Sequence, residues 1–128
     1  MIKRNEYQMI SLGKLSKVED LGEHSRDVEI MLKVISVSEK ETIMLESDQK
    51  DHEVAYALVG DETGAILLTV WDEAIERIEE DQVIELDKAY VSEYEGKIRL
   101  NIGRYGSFKI LESASFDEVN LENNLSEK

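Results

Sequence analysis

Three segments of this chain alternate apolar and polar side chains with a period of two, and this alternation limits the folds that the chain can adopt. The apolar positions are, in chain order, Val28, Ile30, Leu32 and Val34; Ile66, Leu68 and Val70; and Ile98, Leu100 and Ile102. Successive side chains of a strand point to opposite faces of a sheet, so each segment predicts a half-buried β-strand. With 128 residues, the chain can build one domain around a single core.

Glycine and polar residues must separate the strands, since the sequence contains no proline. A further β-rich segment, residues 52–61, leads into the turn DETG, where Gly64 can adopt the positive φ that a hairpin bulge requires. Residues 72–80, DEAIERIEE, place Ala74, Ile75 and Ile78 on one side and predict a short amphipathic helix. The segments QVIELDKAYVSEY and KIRLNIGRYGSFKIL predict two more strands joined by a tight turn at Glu-Gly. Residues 40–51 have no clear period and read as a polar, extended hairpin loop.

Five strands with a short helix between the third and the fourth form the element order of the OB-fold, a Greek-key barrel that often binds oligonucleotides. We therefore predict an all-β, five-stranded OB-fold domain over residues 1–111. Residues 112–128 are polar and acidic with scattered apolar positions. They predict a mobile C-terminal tail, with a short helix over Phe116, Val119 and Leu125 as the alternative.

The charge of the chain is unfavourable for a nucleic-acid partner overall but is unevenly distributed. The formal net charge is −14, whereas nucleic-acid-binding domains usually carry a basic footprint. Residues 88–110 nevertheless have a local net charge of +3. The cations of this stretch are Lys88, Lys97, Arg99, Arg104 and Lys109. Either a binding surface or an ordinary solvated strand accounts for such a stretch.

The strand alternation also assigns side chains to the face opposite the core. The outward set contains Leu67, Thr69, Trp71, Tyr90, Ser92, Tyr94, Lys97, Arg99 and Asn101. Outward aromatic rings can stack nucleic-acid bases, and nearby cations can bind phosphates. We therefore predict that Trp71, Tyr90 and Tyr94 stack bases beside Thr69 and Asn101. Phosphate contacts are predicted for Lys33, Lys88, Lys97, Arg99 and Arg104. The alternative is that the 40–51 loop, the N-terminal segment or the tail covers these rings.

The segments ALVGDETGAILLTVWDE and AYVSEYEGKIRLNIGRYG resemble the single-stranded DNA-binding OB domains of archaea. They are also similar to the large-subunit domains of replication protein A and to human single-OB sensors of single-stranded DNA. The resemblance covers about residues 10–111. It implies an OB-fold that wraps single strands without strong sequence preference, with bases stacked on Trp71, Tyr90 and Tyr94. Some members carry another aromatic residue where this chain has Asn101, and Tyr105 is a candidate substitute.

Other chemistry has little support in the sequence. The chain lacks cysteine, His24 and His52 are far apart and read as surface histidines, and residues 46–53 lack the spacing of a calcium loop. We expect no enzyme activity, cofactor or metal. No apolar run approaches a membrane span of about 18 residues, and the N-terminus lacks a signal peptide, so we expect a soluble, cytoplasmic protein without a membrane partner.

The expected partner is single-stranded DNA in replication or repair. The sequence does not separate DNA from RNA, because base stacking ignores the 2′-hydroxyl. The acidic tail is a candidate contact for replication or repair proteins. The rival hypotheses are an OB domain that uses its outward aromatics for protein contact and an RNA-binding OB domain.

Overall fold

The fold of the chain is a β-barrel with short 3-10 helices at its connections. The computed structural model describes residues 15–128, apart from the side chains of residues 103–105. The strands are β1 Val28–Val37, β2 Glu41–Leu45, β3 Lys50–Asp61, β4 Gly64–Trp71, β5 Val83–Tyr94 and β6 Lys97–Leu111. The 3-10 helices are Val18–Asp20, Asp72–Arg77 and Leu125–Glu127. Within residues 15–128, no helix is long and apolar enough to span a bilayer.

The sheet closes into a ring of five strands. Its order is β1-β5-β6-β4-β3-β2, and an additional pairing of β1 with β3 closes the ring, with β2 attached outside it. β1 pairs with β5 in its first half and with β3 in its second, and the register shifts between Val34 and Ser36. Because β1 changes its partner along its length, both of its faces are partly covered, which explains why it carries apolar residues at odd and at even positions. The prediction of an all-β, five-stranded OB-fold barrel is confirmed.

The inward side chains of the strands form the core as the alternation predicts. Ile30, Leu32, Ile66, Leu68 and Leu100 have no exposed surface. Ile98 and Ile102 are half-buried but pack against the same cluster. Fully burying a large aliphatic side chain contributes about 1.5–3 kcal/mol, so this set supplies much of the stability of the fold.

Two predicted elements differ from the structure. Part of the 40–51 segment, predicted as an extended hairpin loop, forms a regular strand, β2, which pairs with β3. β2 lies outside the ring and four of its five residues are exposed, so neither of its faces packs on the core and its sequence shows no alternation with a period of two. The helix after β4 is a 3-10 helix that ends at Arg77. Ala74 and Ile75 still pack against the core, so the predicted apolar side of this helix is confirmed.

The glycines at the β3–β4 and β5–β6 hairpins have different roles. Gly96 has a φ of +83° in the turn between β5 and β6, as the Glu-Gly sequence predicts. The expectation of a positive φ at Gly64 is wrong. A Cβ at Gly64 would instead lie 2.8 Å from the side-chain nitrogen and the carbonyl oxygen of Asn123. Gly64 is therefore needed for the close approach of the C-terminal segment.

The C-terminal segment lies against the barrel, where the sequence predicts a mobile tail. The amide of Ala65 donates to the carbonyl oxygen of Asn123 (2.9 Å), and the amide of Leu67 donates to the hydroxyl of Ser126 (2.9 Å). That hydroxyl in turn donates to the carbonyl oxygen of Ile98 (2.6 Å). β4 and β6 pair directly only at Leu68–Leu100 and Thr69–Asn101, so Ser126 bridges the gap beside that pairing. The domain boundary at residue 111 stays a prediction.

Candidate nucleic-acid interface

The outer face of β3 to β6 forms an open groove with a volume of about 630 Å³, with β2 along one side. We call it the Trp71 groove. It is lined by Glu41, Ile43, Tyr56, Thr69, Trp71, Ser92, Glu93, Tyr94, Arg99 and Asn101. Five residues of the predicted site therefore come together here: Thr69, Trp71, Tyr94, Arg99 and Asn101.

The floor of the groove is polar and firmly held. Thr69 and Asn101 pair across the parallel strands β4 and β6, and they are only 7% and 8% exposed. The side-chain nitrogen of Asn101 donates to the hydroxyl of Ser92 (2.8 Å). The alternation correctly predicts that these residues lie on the outer face, but their side chains are buried in the floor of the groove and do not project into solvent.

Two of the three predicted stacking residues line the groove beside this floor. Trp71 ends β4, and Tyr94 ends β5 with 58% of its surface exposed. Tyr90 pairs with Asn101 in the sheet, but it is half-buried and lies outside the groove lining. The structure thus brings together two of the three predicted stacking residues.

An ion cluster fixes the backbone beside Trp71. The ring of His52 lies edge-on to Trp71, with 6.3 Å between the ring centroids. Its Nδ1 is 2.8 Å from a carboxylate oxygen of Asp72, and its Nε2 is 2.7 Å from one of Asp48. The other oxygen of Asp72 accepts the amide of Glu53 (2.9 Å). His24 is a surface histidine as predicted, but His52 is only 21% exposed and is not free.

The three members of this cluster stabilise one another's charged forms. Hydrogen bonds to Asp72 and then to Asp48 raise the pKa of His52 above its ordinary value. The hydrogen bond from His52 lowers the pKa of both carboxyl groups. These contacts favour the protonated imidazole, which in that form neutralises part of the acidic surface next to Trp71.

A lysine compensates two more carboxylates of the same region. The Nζ of Lys40 lies 3.3 Å from Glu53 and 3.5 Å from Glu76. The hydrogen bond to Glu53, followed by the charges of Glu53 and Glu76, raises the pKa of Lys40. These ion pairs leave the formal charge of the region unchanged, but they place one cation between two of its carboxylates.

At the other end of the groove, a cation lies against two tyrosines. The guanidinium carbon of Arg99 is 4.7 Å from the centroid of the Tyr56 ring and 5.2 Å from that of Tyr94. Sequence reasoning missed Tyr56. In β3 the buried Ala57 and Val59 alternate with the half-buried Tyr56 and Leu58. Applying the parity rule to this strand would have placed Tyr56 on the outer face.

The remaining predicted cations lie outside the groove lining. Lys33 pairs with Gly60 and Val83 where β1 joins its two neighbours. Lys88 is exposed at an irregularity of β5, with a φ of 59°. The Nζ of Lys97 donates to the carbonyl oxygen of Glu127 (3.3 Å). The side chains of Arg104 and Tyr105 lie outside the described residues.

No group of three or more histidine and acidic side chains within residues 15–128 is arranged to hold a metal ion. A closed five-stranded barrel of this order defines the class of the protein, an OB-fold domain, and its outer face carries aromatic rings and an arginine around one open groove.

Comparison with known proteins gives the family. Residues 22–110 match the OB-fold family described as "Single-stranded DNA binding protein Ssb-like", and the chain belongs to that family. The Single-stranded DNA binding protein Ssb of Saccharolobus solfataricus is 31% identical over 87 residues. This match covers 68% of the chain and 57% of that relative, so the chain spans little more than half of the relative's length.

Solved structures show the same fold. A hypothetical protein of Arabidopsis thaliana superposes with a TM-score of 0.72 at 25% identity, covering 88% of this chain and 82% of that one. The second OB-fold domain of replication protein A from Methanococcus maripaludis gives a TM-score of 0.63 at 18% identity, covering 77% of this chain and 96% of the domain.

Proposed function

We propose that this chain binds single-stranded DNA along the Trp71 groove, in DNA replication or repair, and that it acts in the cytoplasm without catalysing a reaction. The observation that carries the proposal is the arrangement of Trp71, Tyr94 and Arg99 around one open groove. Base stacking on an aromatic side chain contributes about 1–3 kcal/mol per base and does not depend on sequence.

In this proposal, different residues of the groove bind the bases and the phosphates of the strand. Trp71 and Tyr94 offer ring faces for bases, and Arg99 offers a charged group for a phosphate. Tyr90, Lys33, Lys88 and Lys97 lie outside the lining and are proposed as secondary contacts, together with Arg104. The shallow floor at Thr69 and Asn101 suits a flexible single strand better than a rigid duplex.

Trp71 is the only tryptophan in the chain, so its fluorescence reports on the groove directly. Titration with oligo-dT should quench this fluorescence, and a duplex of equal length should bind more weakly. As a control for quenching at a distance, the anisotropy of a labelled oligo-dT measures binding independently of tryptophan, for both the unmodified protein and Trp71→Phe. Unchanged fluorescence and anisotropy would contradict the proposal and favour a protein partner on this face. Tighter binding of oligo-rU than of oligo-dT would favour the RNA alternative.

We also propose that the acidic C-terminal segment contacts other proteins. Asp117 and Glu118 are exposed, so contact with replication or repair proteins stays a prediction for this segment. Since residues 123–126 are hydrogen-bonded to the barrel, a partner would meet a fixed surface there. Pull-down by the chain with and without Asp117→Asn and Glu118→Gln tests that contact separately from DNA binding.

A further inference from the structure

Arg99 stands where two grooves of the barrel meet. On one side lies the Trp71 groove, and on the other lies a smaller groove of about 400 Å³, which we call the Leu67 groove. Arg99 and Tyr56 line both. A polymer that follows the surface from one groove into the other must therefore pass the guanidinium.

The guanidinium is positioned by rings and not by a carboxylate. Its carbon lies 4.7 Å from the Tyr56 centroid and 5.2 Å from the Tyr94 centroid. Among the side chains that the structure describes, Arg99 forms no ion pair, whereas Lys17 and Lys40 do. Cation–π contact fixes a guanidinium without neutralising its charge, which leaves it able to pair with an anion.

The Leu67 groove has the lining of a base site. Val37, Leu58 and Leu67 contribute apolar surface on which a base can pack, whereas the ring of Tyr56 lies against Arg99. Asn124 and Glu127 of the C-terminal segment add polar groups at its edge. The carboxylate of Glu127 would repel a phosphate but can accept hydrogen bonds from the amino group of a base.

We propose that Arg99, oriented by Tyr56 and Tyr94, is a preformed binding site for one phosphodiester of the single strand, with the neighbouring bases in the Trp71 and Leu67 grooves. This inference rests on the proposed function. A planar guanidinium donates two parallel hydrogen bonds to the oxygens of a phosphate. Since the rings already hold it, little side-chain freedom is lost on binding. Tyr56 acts in this account as a positioning residue.

Neutral linkages test the phosphate contact. We would place a single methylphosphonate at each position in turn of the shortest oligo-dT that binds with full affinity. The unmodified protein should lose affinity about tenfold at one internal linkage. Arg99→Gln should abolish that sensitivity, and Lys109→Gln, which removes the same charge from outside both grooves, should retain it. Equal sensitivity in Arg99→Gln and the unmodified protein would overturn the inference.

Substitution of Tyr56 tests its positioning role. Tyr56→Leu should weaken binding when Arg99 is present and have no further effect in the Arg99→Gln background, whereas Tyr56→Phe should bind like the unmodified protein. The same loss from Tyr56→Leu in both backgrounds would show that Tyr56 does not act through Arg99. Failure of the unmodified protein to bind oligo-dT would instead overturn the proposed function itself.

Discussion

The two ends of the Trp71 groove place opposite charges beside their aromatic rings. Trp71 stands next to the cluster of Asp48, His52 and Asp72, in which two carboxylates flank one imidazole. Tyr94 stands next to Arg99, whose guanidinium is not paired with a described carboxylate. The groove therefore separates the two tasks of a single-strand binder. The Trp71 end is suited to bases, and the Arg99 end is suited to phosphates.

This separation reconciles the net charge of the chain with its family. A surface at −14 repels a polyanion at long range, but charges are screened beyond a Debye length of about 8 Å at physiological salt. Close to the groove, Lys40 and His52 compensate neighbouring carboxylates. Among the described side chains, the groove itself is lined by one cation, Arg99, and by the carboxylates of Glu41 and Glu93, so we expect a phosphate to bind at the Arg99 end.

The largest effect is expected from the core that both ends share. Leu68 is fully buried beneath the groove, so Leu68→Ala should lower the free energy of unfolding by about 2–5 kcal/mol. Thr69→Ala is the matched control, since Thr69 faces the groove and its loss leaves no cavity in the core. Denaturant unfolding measures both. Equal losses at the two positions would show that the alternation of β4 does not separate core from surface.

A smaller loss of unfolding free energy is expected when the hydrogen bonds of Ser126, which join the C-terminal segment to β4 and β6, are removed. Ser126→Ala removes the hydroxyl that joins the amide of Leu67 to the carbonyl of Ile98, and an unsatisfied buried group costs about 1–3 kcal/mol. Ser113→Ala, the same substitution at an exposed position of the C-terminal segment, is the control. If thermal unfolding shows no difference between the two variants, the segment is the mobile tail that the sequence predicts.

The sequence predicts the barrel because its signal is local. Alternation within one strand identifies Ile66, Leu68 and Val70 as core and Trp71 as outward, and the structure agrees. The C-terminal segment has only scattered apolar residues, so no alternation in its sequence predicts that it packs against the barrel. Its attachment depends on polar groups such as Ser126, whose partner Leu67 is 59 residues away.

The Arg99 end was only partly predictable for a related reason. Parity placed Arg99 on the outer face, but the contact with Tyr56 depends on the pairing of β3 with β4 and of β4 with β6. His52 likewise acquires its partner Asp72 only when the end of β4 returns past β3. Sequence spacing carries no direct record of such cross-strand neighbours.

The ion cluster at the Trp71 end should make stability depend on pH. The pKa of His52 is raised, so its contribution is complete below the ordinary value of 6.5 and is lost as the pH rises through the raised value. The lowered pKa values of Asp48 and Asp72 make their contribution complete above 3.8 and lost as the pH falls further. The difference in unfolding free energy between the unmodified protein and His52→Gln should therefore be largest between these limits. If this difference in unfolding free energy stays constant as the pH rises through the histidine titration, the ion cluster does not contribute to stability.

The measurement that tests the separation of the two ends most directly is the salt dependence of oligo-dT binding by Trp71→Ala and Arg99→Gln. With about two to four phosphate contacts, log K of the unmodified protein should fall with log salt with a slope of about −1.4 to −2.8. Trp71→Ala should lose about 1–3 kcal/mol at every salt concentration with the slope unchanged. Arg99→Gln should make the slope shallower by about 0.7. A changed slope for Trp71→Ala with an unchanged slope for Arg99→Gln would contradict the account.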